Sequence, residues 1–109
     1  MSRSKGNYYE NKAAEFLKSK GHIIIERNFY AKKLGEIDII TLKDDVYHFI
    51  EVKSGETFEA VYNITPSKLH KLLRSIQYYL KYKDLDVSYC VDAIIYANED
   101  VEYLENITL

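Results

Sequence analysis

The 109-residue sequence predicts a mixed α/β (α+β) domain in which a β-sheet is flanked by helices. Several short segments alternate apolar and polar residues with a period of two, which is typical of strands. Two longer segments repeat apolar residues every three or four positions, which is typical of amphipathic helices. In chain order the segments predict α-β-β-β-α-β. At this length we expect a single domain, residues 1–109.

The first helix is predicted from around Asn7 to Lys20, and Gly21 suits the left-handed position that ends a helix. Its apolar stripe consists of Ala13, Ala14 and Leu17. Glu10 lies on the same stripe. It therefore either caps the helix start together with Asn7 or points into a polar pocket, and spacing alone slightly favours the cap.

Three strands are predicted next. Residues 22–29 form the first, and a loop carrying Lys32 and Lys33 follows it. Gly35 opens the second strand and Gly55 closes the third.

A second helix is predicted after a loop at residues 56–64. Thr65 suits its N-cap, Pro66 suits its first position, and the helix extends to about Lys83. Its predicted core stripe is Leu69, Leu72, Leu73, Ile76 and Leu80. The residues predicted to face away from that stripe, towards solvent or phosphate, are Lys68, Lys71, Arg74 and Ser75. A fourth strand at residues 87–97 and a short element of undetermined type at 101–107 complete the chain.

A tight turn at residues 43–46 predicts a hairpin between the second and third strands. If the turn is centred between its two aspartates, residue numbers of facing partners sum to 89. Asp38 then faces Glu51, and Glu36 faces Lys53. Facing residues have Cβ atoms about 5 Å apart, at which two carboxylates repel by roughly 3 kcal/mol at an effective dielectric near 20. Such a pair needs a positive partner, either Lys53 or a divalent metal.

The same register assigns the two faces of the hairpin. The residues predicted to face the core together are Ile37, Ile39, Ile50 and Val52. The other face carries Glu36, Asp38, Glu51 and Lys53 at one end and Ile40, Leu42, Tyr47 and Phe49 near the turn. The four ionic groups sum to −2, which suits one Mg²⁺ bound through oxygen atoms. A solvated salt-bridge patch is equally consistent with these residues alone.

The net charge of −2 conceals an asymmetry along the chain. Residues 1–83 sum to +5, whereas residues 84–109 sum to −7 and contain no base. No acid occurs between residues 60 and 83, where five bases lie. This segment could supply the local basic surface that a nucleic-acid partner needs, although a solvated helix face is the commoner explanation.

Other features narrow the class of protein. Cys90 is the only cysteine, which excludes an internal disulfide and fits a reducing cytoplasm, and in its strand it is expected to be a small buried thiol. There is no apolar stretch of membrane-spanning length, no signal-peptide core, and no histidine spacing typical of a zinc site. We therefore expect a cytoplasmic protein without a membrane partner.

The 11 tyrosines include the pairs Tyr8–Tyr9 and Tyr78–Tyr79. Tyrosines can stack on bases, but most are expected at sheet and helix boundaries.

Motifs and element order together resemble a known group of enzymes. The residues that carry the resemblance are Glu10, Ala13–Ala14, Phe16–Leu17, Gly21, Arg27–Asn28, residues 35–40 (Gly-Glu-Ile-Asp-Ile-Ile), residues 51–53 (Glu-Val-Lys), Lys68 and residues 92–94 (Asp-Ala-Ile). On these the chain resembles the PD-(D/E)XK nuclease superfamily, whose αβββαβ core is restriction-endonuclease-like. It looks most like the YraN-like family of predicted endonucleases, which in turn resembles archaeal Holliday-junction resolvases. The resemblance covers nearly the whole chain.

The resemblance implies a metal-dependent endonuclease that hydrolyses phosphodiester bonds in DNA, including branched or recombination and repair intermediates. Asp38 and Glu51 would bind Mg²⁺, with Mn²⁺ as a substitute, Lys53 would be the catalytic lysine, and Glu10 would join the active site. Nucleic-acid contacts would come from Arg27, Lys32, Lys33, Lys68, Lys71 and Arg74. By analogy with the resolvases, a homodimer would act on branched DNA.

Two positions depart from the pattern, and two other functions stay open. Ile37 replaces the superfamily's proline, and Gly55 replaces an arginine found in many YraN-like chains, which removes one phosphate contact. One alternative is a non-catalytic nucleic-acid-binding module on a nuclease fold, which would have no use for facing acids beside phosphates. The other is a protein-interaction domain that uses the acidic segment 84–109.

Overall fold

A computed structural model describes the backbone of residues 3–58 and 65–107, and the side chains of residues 7–58 and 65–107. The helices are α1 (Arg3–Ser19) and α2 (Pro66–Tyr82), and a short 3₁₀ turn spans Lys32–Leu34. The strands are β1 (Ile23–Tyr30), β2 (Glu36–Lys43), β3 (Val46–Gly55), β4 (Tyr89–Ala97) and β5 (Asp100–Leu104). The predicted fold class and element order are confirmed, and the final element is a strand. None of the described helices combines the length and apolar character that crossing a membrane requires.

The strands form one mixed sheet in the order β1-β2-β3-β4-β5. Only β3 and β4 run parallel among the described neighbours. Parallel neighbours need a long crossover connection, and α2 lies in this one. The two helices cover opposite faces of the sheet, because each packs on a different set of buried strand residues.

Each face of the sheet has its own apolar core. Under α1 the buried residues are Ala13, Ala14, Leu17, Ile39, Ile50, Ile94 and Tyr96. Under α2 they are Phe29, Ala31, Ile37, Ile40, Phe49, Leu72, Ile76, Tyr79 and Val91. Neighbouring residues such as Ile39 and Ile40 lie in different cores because successive side chains of a strand point to opposite faces.

The β2–β3 hairpin has the predicted turn and register. Asp44 and Asp45 have φ values of 50° and 65°, the left-handed conformations that a two-residue type I′ turn requires. The paired residues run from Lys43–Val46 to Ile39–Ile50, and their numbers sum to 89 as predicted. The turn therefore determines which residues of the two strands face each other.

One face assignment was wrong. Ile37 was predicted to share a core with Ile39, but it packs under α2 with Phe29 while Ile39 packs under α1. In the adjacent strand, Asn28 has a left-handed φ of 55°, a conformation that asparagine tolerates. Asn28 lies between Arg27, which pairs with Ile39, and Phe29, which pairs with Ile37. This kink interrupts the alternation of faces in both strands.

The predicted start of the first helix was also wrong. The helix α1 begins at Arg3 rather than near Asn7, so Asn7 cannot be its N-cap and Glu10 lies in the helix interior. The predicted end is confirmed, because Gly21 has a φ of 93° and its N–H donates to the carbonyl of Lys18.

The start of α2 is confirmed and one of its faces is corrected. Thr65 caps the helix by accepting a hydrogen bond from the Lys68 N–H at 3.2 Å, and Pro66 follows it. Ser75 was predicted to face solvent or phosphate, but it is buried. Its hydroxyl donates to the carbonyls of Leu34 and Lys71 at 3.3 and 3.1 Å. The chain entering β2 thus covers this side of α2. Of the predicted loop at 56–64, residues 59–64 lie outside the described residues.

Candidate functional site: an acid pair beside a lysine cleft

Asp38 and Glu51 lie side by side where the β2–β3 hairpin is farthest from its turn. The observed strand pairing ends at Ile39–Ile50, and the two acids follow directly beyond it, close enough for the charge of Glu51 to act on Asp38. The Val52 N–H donates to Asp38 Oδ2 at 2.8 Å, so the Asp38 carboxylate is held against β3. The structure therefore brings together the two acids that the sequence predicted to face each other.

Burial and mutual repulsion disfavour two ionised carboxylates here. The pKa of Asp38 is raised from 3.8 to about 7, first by burial and then by the negative charge of Glu51, with smaller contributions from Glu10 and Glu36. The hydrogen bond from Val52 opposes that rise. Burial also raises the pKa of Glu51, against the influence of two lysines. The pair consequently favours a proton, or another cation, near neutral pH.

The two lysines that act on Glu51 come from different elements. Lys53 lies two residues along β3, and Lys68 lies in the first turn of α2. Both line a cleft of about 350 Å³ between the hairpin and α2, together with Glu36, Glu51 and Lys71. The lining of the cleft thus combines two acids, Glu36 and Glu51, with three lysines. This combination suits an anionic ligand bound beside a cation.

Glu10 approaches the acid pair from α1. Its side chain is 15% exposed, and its carboxylate lies 3.6 Å from Nη2 of Arg27. Within the described part of the chain, Glu10 Oε1 and Arg27 Nε are buried without a hydrogen-bond partner. Because Glu10 also raises the pKa of Asp38, it points towards the sheet, as the resemblance implies, and does not cap the helix.

The six predicted nucleic-acid contacts do not form one surface. Lys68 and Lys71 line the cleft, and Arg74 is exposed on the same helix. Lys32 and Lys33 are exposed in the 3₁₀ turn, which packs on α2 through the Leu34–Ser75 hydrogen bond.

Arg27 lies apart from those five bases. Besides its ion pair with Glu10, its Nη2 donates to Asn11 Oδ1 on α1 at 2.8 Å. Its charge is therefore used within the protein, on the α1 side of the sheet.

A second polar cluster was not predicted from the sequence. Asp92 is fully buried in β4, with His48 Nδ1 2.6 Å from its Oδ2. The Tyr103 hydroxyl and the Asn106 N–H also donate to this carboxylate, and the Cys90 thiol donates to it at 3.3 Å. These residues come from three strands, β3, β4 and β5, and from the chain that follows β5, so their spacing in sequence gave no signal. The one local indication was a single acid within the apolar run at residues 91–95.

The contacts of this cluster indicate a structural role. The ligand atoms of His48, Cys90 and Asp92 lie within 4.8 Å of one another, but they already hydrogen-bond one another. Burial and then the Asp92 charge raise the pKa of Cys90 to about 12. Cys90 is therefore a neutral thiol at neutral pH rather than a nucleophile.

Fold and site together define the class of this protein. It is a mixed-sheet domain, consistent with a restriction-endonuclease-like core. Its strands β2 and β3 bring the Asp38–Glu51 pair and Lys53 to one end of the sheet. Residues 9–96 match the family described as "Uncharacterised protein family UPF0102". The chain belongs to that family, which is the YraN-like family indicated by the sequence motifs.

Curated relatives match over nearly their whole length. A UPF0102 protein of Wolinella succinogenes is 55% identical over 109 residues, which is all of both chains. One of Helicobacter hepaticus is 56% identical over 108 residues, covering 99% of this chain and 97% of the relative. One of Sulfurovum sp. is 55% identical over 105 residues, covering 95% and 93%.

Proposed function

We propose that this protein is a metal-dependent endonuclease that hydrolyses phosphodiester bonds in DNA. The observation that carries the proposal is the Asp38–Glu51 pair, which is held together in a largely buried site although its charges repel. Lys53 lies beside the pair in a cleft lined by further lysines. A purely structural salt bridge would place one acid against one base, and it would not raise the pKa of both acids.

The residues present fit a divalent cation. Mg²⁺ prefers oxygen ligands and binds through one or two carboxylates together with substrate phosphates. Asp38 and Glu51 would hold the cation, whose two positive charges would replace the proton that the pair favours. Glu10 offers a further buried oxygen, Oε1, which lies 3.6 Å from Arg27 Nη2 in an ion pair but has no hydrogen-bond partner among the described residues. The chemistry that a bound Mg²⁺ supplies is neutralisation of phosphate charge and activation of water as a nucleophile.

The chain's own residues supply the rest of the chemistry. The Lys53 ammonium, on the strand face that carries Glu51, can stabilise the negative charge that develops on the attacked phosphate. Lys68 and Lys71 line the other wall of the cleft and can bind the phosphates on either side of the scissile bond. The hydrogen bond from Val52 orients the Asp38 carboxylate before any ligand arrives.

The proposal predicts that cleavage of DNA requires both Mg²⁺ and the acid pair. In a fluorescent cleavage assay on linear and branched DNA, Asp38→Asn and Glu51→Gln should each lower the rate at least about 100-fold, the scale expected when one group that stabilises the transition state is lost. Lys53→Gln should lower it similarly while leaving Mg²⁺ binding unchanged. Glu15→Gln is the matched control, because Glu15 is an exposed acid on α1, and it should cut like wild type.

Two results would contradict the proposal. Equal rates for Asp38→Asn, Glu51→Gln and wild type in Mg²⁺ would exclude a catalytic acid pair. Salt-sensitive DNA binding without Mg²⁺-dependent cleavage of any tested substrate would instead identify a nucleic-acid-binding module on a nuclease fold.

A further inference from the structure

Three tyrosines and a lysine form a cluster on the α1 side of the sheet. The rings of Tyr8 and Tyr9 meet edge to face with centroids 5.1 Å apart, and the Tyr9 and Tyr96 centroids are also 5.1 Å apart. Lys12 Nζ lies 5.3 Å from the Tyr8 centroid and 5.6 Å from that of Tyr96. Tyr96 is buried, whereas Tyr8 is 56% exposed. The cluster thus presents one exposed aromatic ring with a half-buried cation beside it, supported by two packed rings.

The cluster lies at the same end of the sheet as the acid pair. Tyr96 pairs with Ser54 in the parallel β3–β4 register, one position beyond the pair that contains Lys53. Tyr9 packs in the core under α1 together with Val52, the residue whose N–H holds the aspartate of the site. Glu10, two residues from Tyr8 on α1, also acts on that aspartate, so a strand whose phosphate lies at the acid pair can extend along α1 towards the exposed ring.

We propose that Tyr8 and Lys12 form a stacking platform for an unpaired base of the substrate, next to the phosphodiester that is cut. This inference rests on the proposed nuclease function and specifies its substrate class: DNA with an unpaired nucleotide near the cut, as in a fork, a flap or a branch point. A base inside a duplex is stacked between its neighbours and offers no free face to a side chain, whereas an unpaired base does.

The surroundings of Tyr8 support binding rather than packing. Packing needs only the two inner rings, because Tyr9 and Tyr96 join the core under α1 while the Tyr8 ring stays mostly in solvent. A ring held edge to face by a neighbour loses little freedom when a base stacks on it. The Lys12 ammonium adds attraction for the phosphate that follows that base.

Substitution of Tyr8 should weaken binding to forked DNA selectively. The probe is a forked oligonucleotide with 2-aminopurine at the first unpaired position, compared with a fully paired duplex, and binding is measured without divalent metal so that no cleavage is needed. Tyr8→Ala should weaken fork binding at least about fivefold, the factor that matches about 1 kcal/mol at the lower end of base–aromatic stacking. Duplex binding should change less than about twofold, since the duplex offers no free base to the ring. Tyr8→Phe keeps the ring and should keep both the affinity and the quenching of 2-aminopurine fluorescence.

Tyr82→Ala is the matched control. Tyr82 is 67% exposed, but it lies at the C-terminal end of α2, whereas the lysines that line the cleft lie in its N-terminal half. It should bind both DNAs like wild type. Thermal unfolding of each variant separates a folding defect from a binding defect, and the ring-retaining Tyr8→Phe keeps the comparison valid if Tyr8→Ala is unstable.

The inference is overturned if Tyr8→Ala binds the fork like wild type, if it weakens fork and duplex binding equally, or if wild type does not bind the fork. These binding results are independent of cleavage. Loss of cleavage in Asp38→Asn combined with no effect of Tyr8→Ala would retain the nuclease and reject the platform. A Tyr8-dependent preference for forks without Mg²⁺-dependent cutting would retain the platform and reject the nuclease.

Discussion

Asp38 is the residue whose environment is hardest to explain without a ligand. It is largely withdrawn from solvent, it accepts a backbone hydrogen bond, and three other carboxylates act on it. A metal-free protein stabilises this site only by keeping a proton there, and that stabilisation is lost as the pH rises from the ordinary pKa of an aspartate to the raised pKa of the folded state. A site with this property is typical of residues kept for binding rather than for stability.

Asp38→Asn should therefore stabilise the metal-free protein in a pH-dependent way. The pKa of Asp38 is about 7 when folded and near 3.8 otherwise, so the folded state favours the proton. The free energy of unfolding of wild type should fall as the pH rises from about 4 to about 7 and then level off. The variant lacks this loss and its amide oxygen can still accept the Val52 hydrogen bond, so urea unfolding at pH 8 should show it more stable by about 1 kcal/mol or more.

Metal should oppose that difference by stabilising wild type alone. At ten times its dissociation constant, Mn²⁺ or Mg²⁺ should add about 1.4 kcal/mol to the stability of wild type and nothing to that of Asp38→Asn. A less stable metal-free variant, together with no effect of metal on either protein, would identify Asp38 as part of a structural network instead.

At the scale of elements, the hairpin turn determines the geometry of the acid pair. The type I′ turn at Asp44–Asp45 fixes the β2–β3 register, and a shift of one residue would separate Asp38 from Glu51. Turn and register could both be predicted because they depend on adjacent residues of the chain.

The turn carries a conformational cost that glycine would lower. Asp45 has a φ of 65°, which L-residues adopt only at a cost and which glycine adopts freely. Asp45→Gly should raise the free energy of unfolding by roughly 0.5 kcal/mol, and the β-branched Asp45→Val should lower it by at least about 1 kcal/mol. Urea unfolding of both variants at one pH measures the difference. A stabilising Asp45→Val would show that the turn does not hold the register.

Features that depend on distant partners could not be predicted in the same way. Ile37 changes faces because Asn28, in a different strand, adopts a left-handed conformation. Ser75 is buried because the Leu34 carbonyl covers it. The His48–Asp92 pair forms only when β3 and β4 lie parallel. Local pattern predicts an element, whereas these three outcomes require knowledge of what packs against it.

At the scale of the whole molecule, opposite charges are separated in space. The segment of residues 84–109, which sums to −7, supplies β4 and β5 at one side of the sheet. The cleft lysines and the exposed bases of the 3₁₀ turn lie around the N-terminal half of α2. A polyanion should therefore approach over α2 and be repelled by the acidic strands, which orients DNA towards the acid pair.

This separation predicts that lysines at the two ends of α2 differ in their contribution to DNA binding. Lys71 lines the cleft, so Lys71→Gln should weaken duplex binding and reduce the slope of log K against log salt by about one, the loss of one phosphate contact. Lys81→Gln removes the same charge from the last turn of the same helix and should change the slope much less. Fluorescence anisotropy between 50 and 200 mM salt, without divalent metal, measures both slopes. Because the two variants have equal net charge, equal slopes would mean that DNA responds only to overall charge, and the cleft would lose its assignment as the path of the substrate backbone. A slope reduced only by Lys71→Gln would place a phosphate in the cleft that Lys53 and Glu51 also line, as hydrolysis at this site requires.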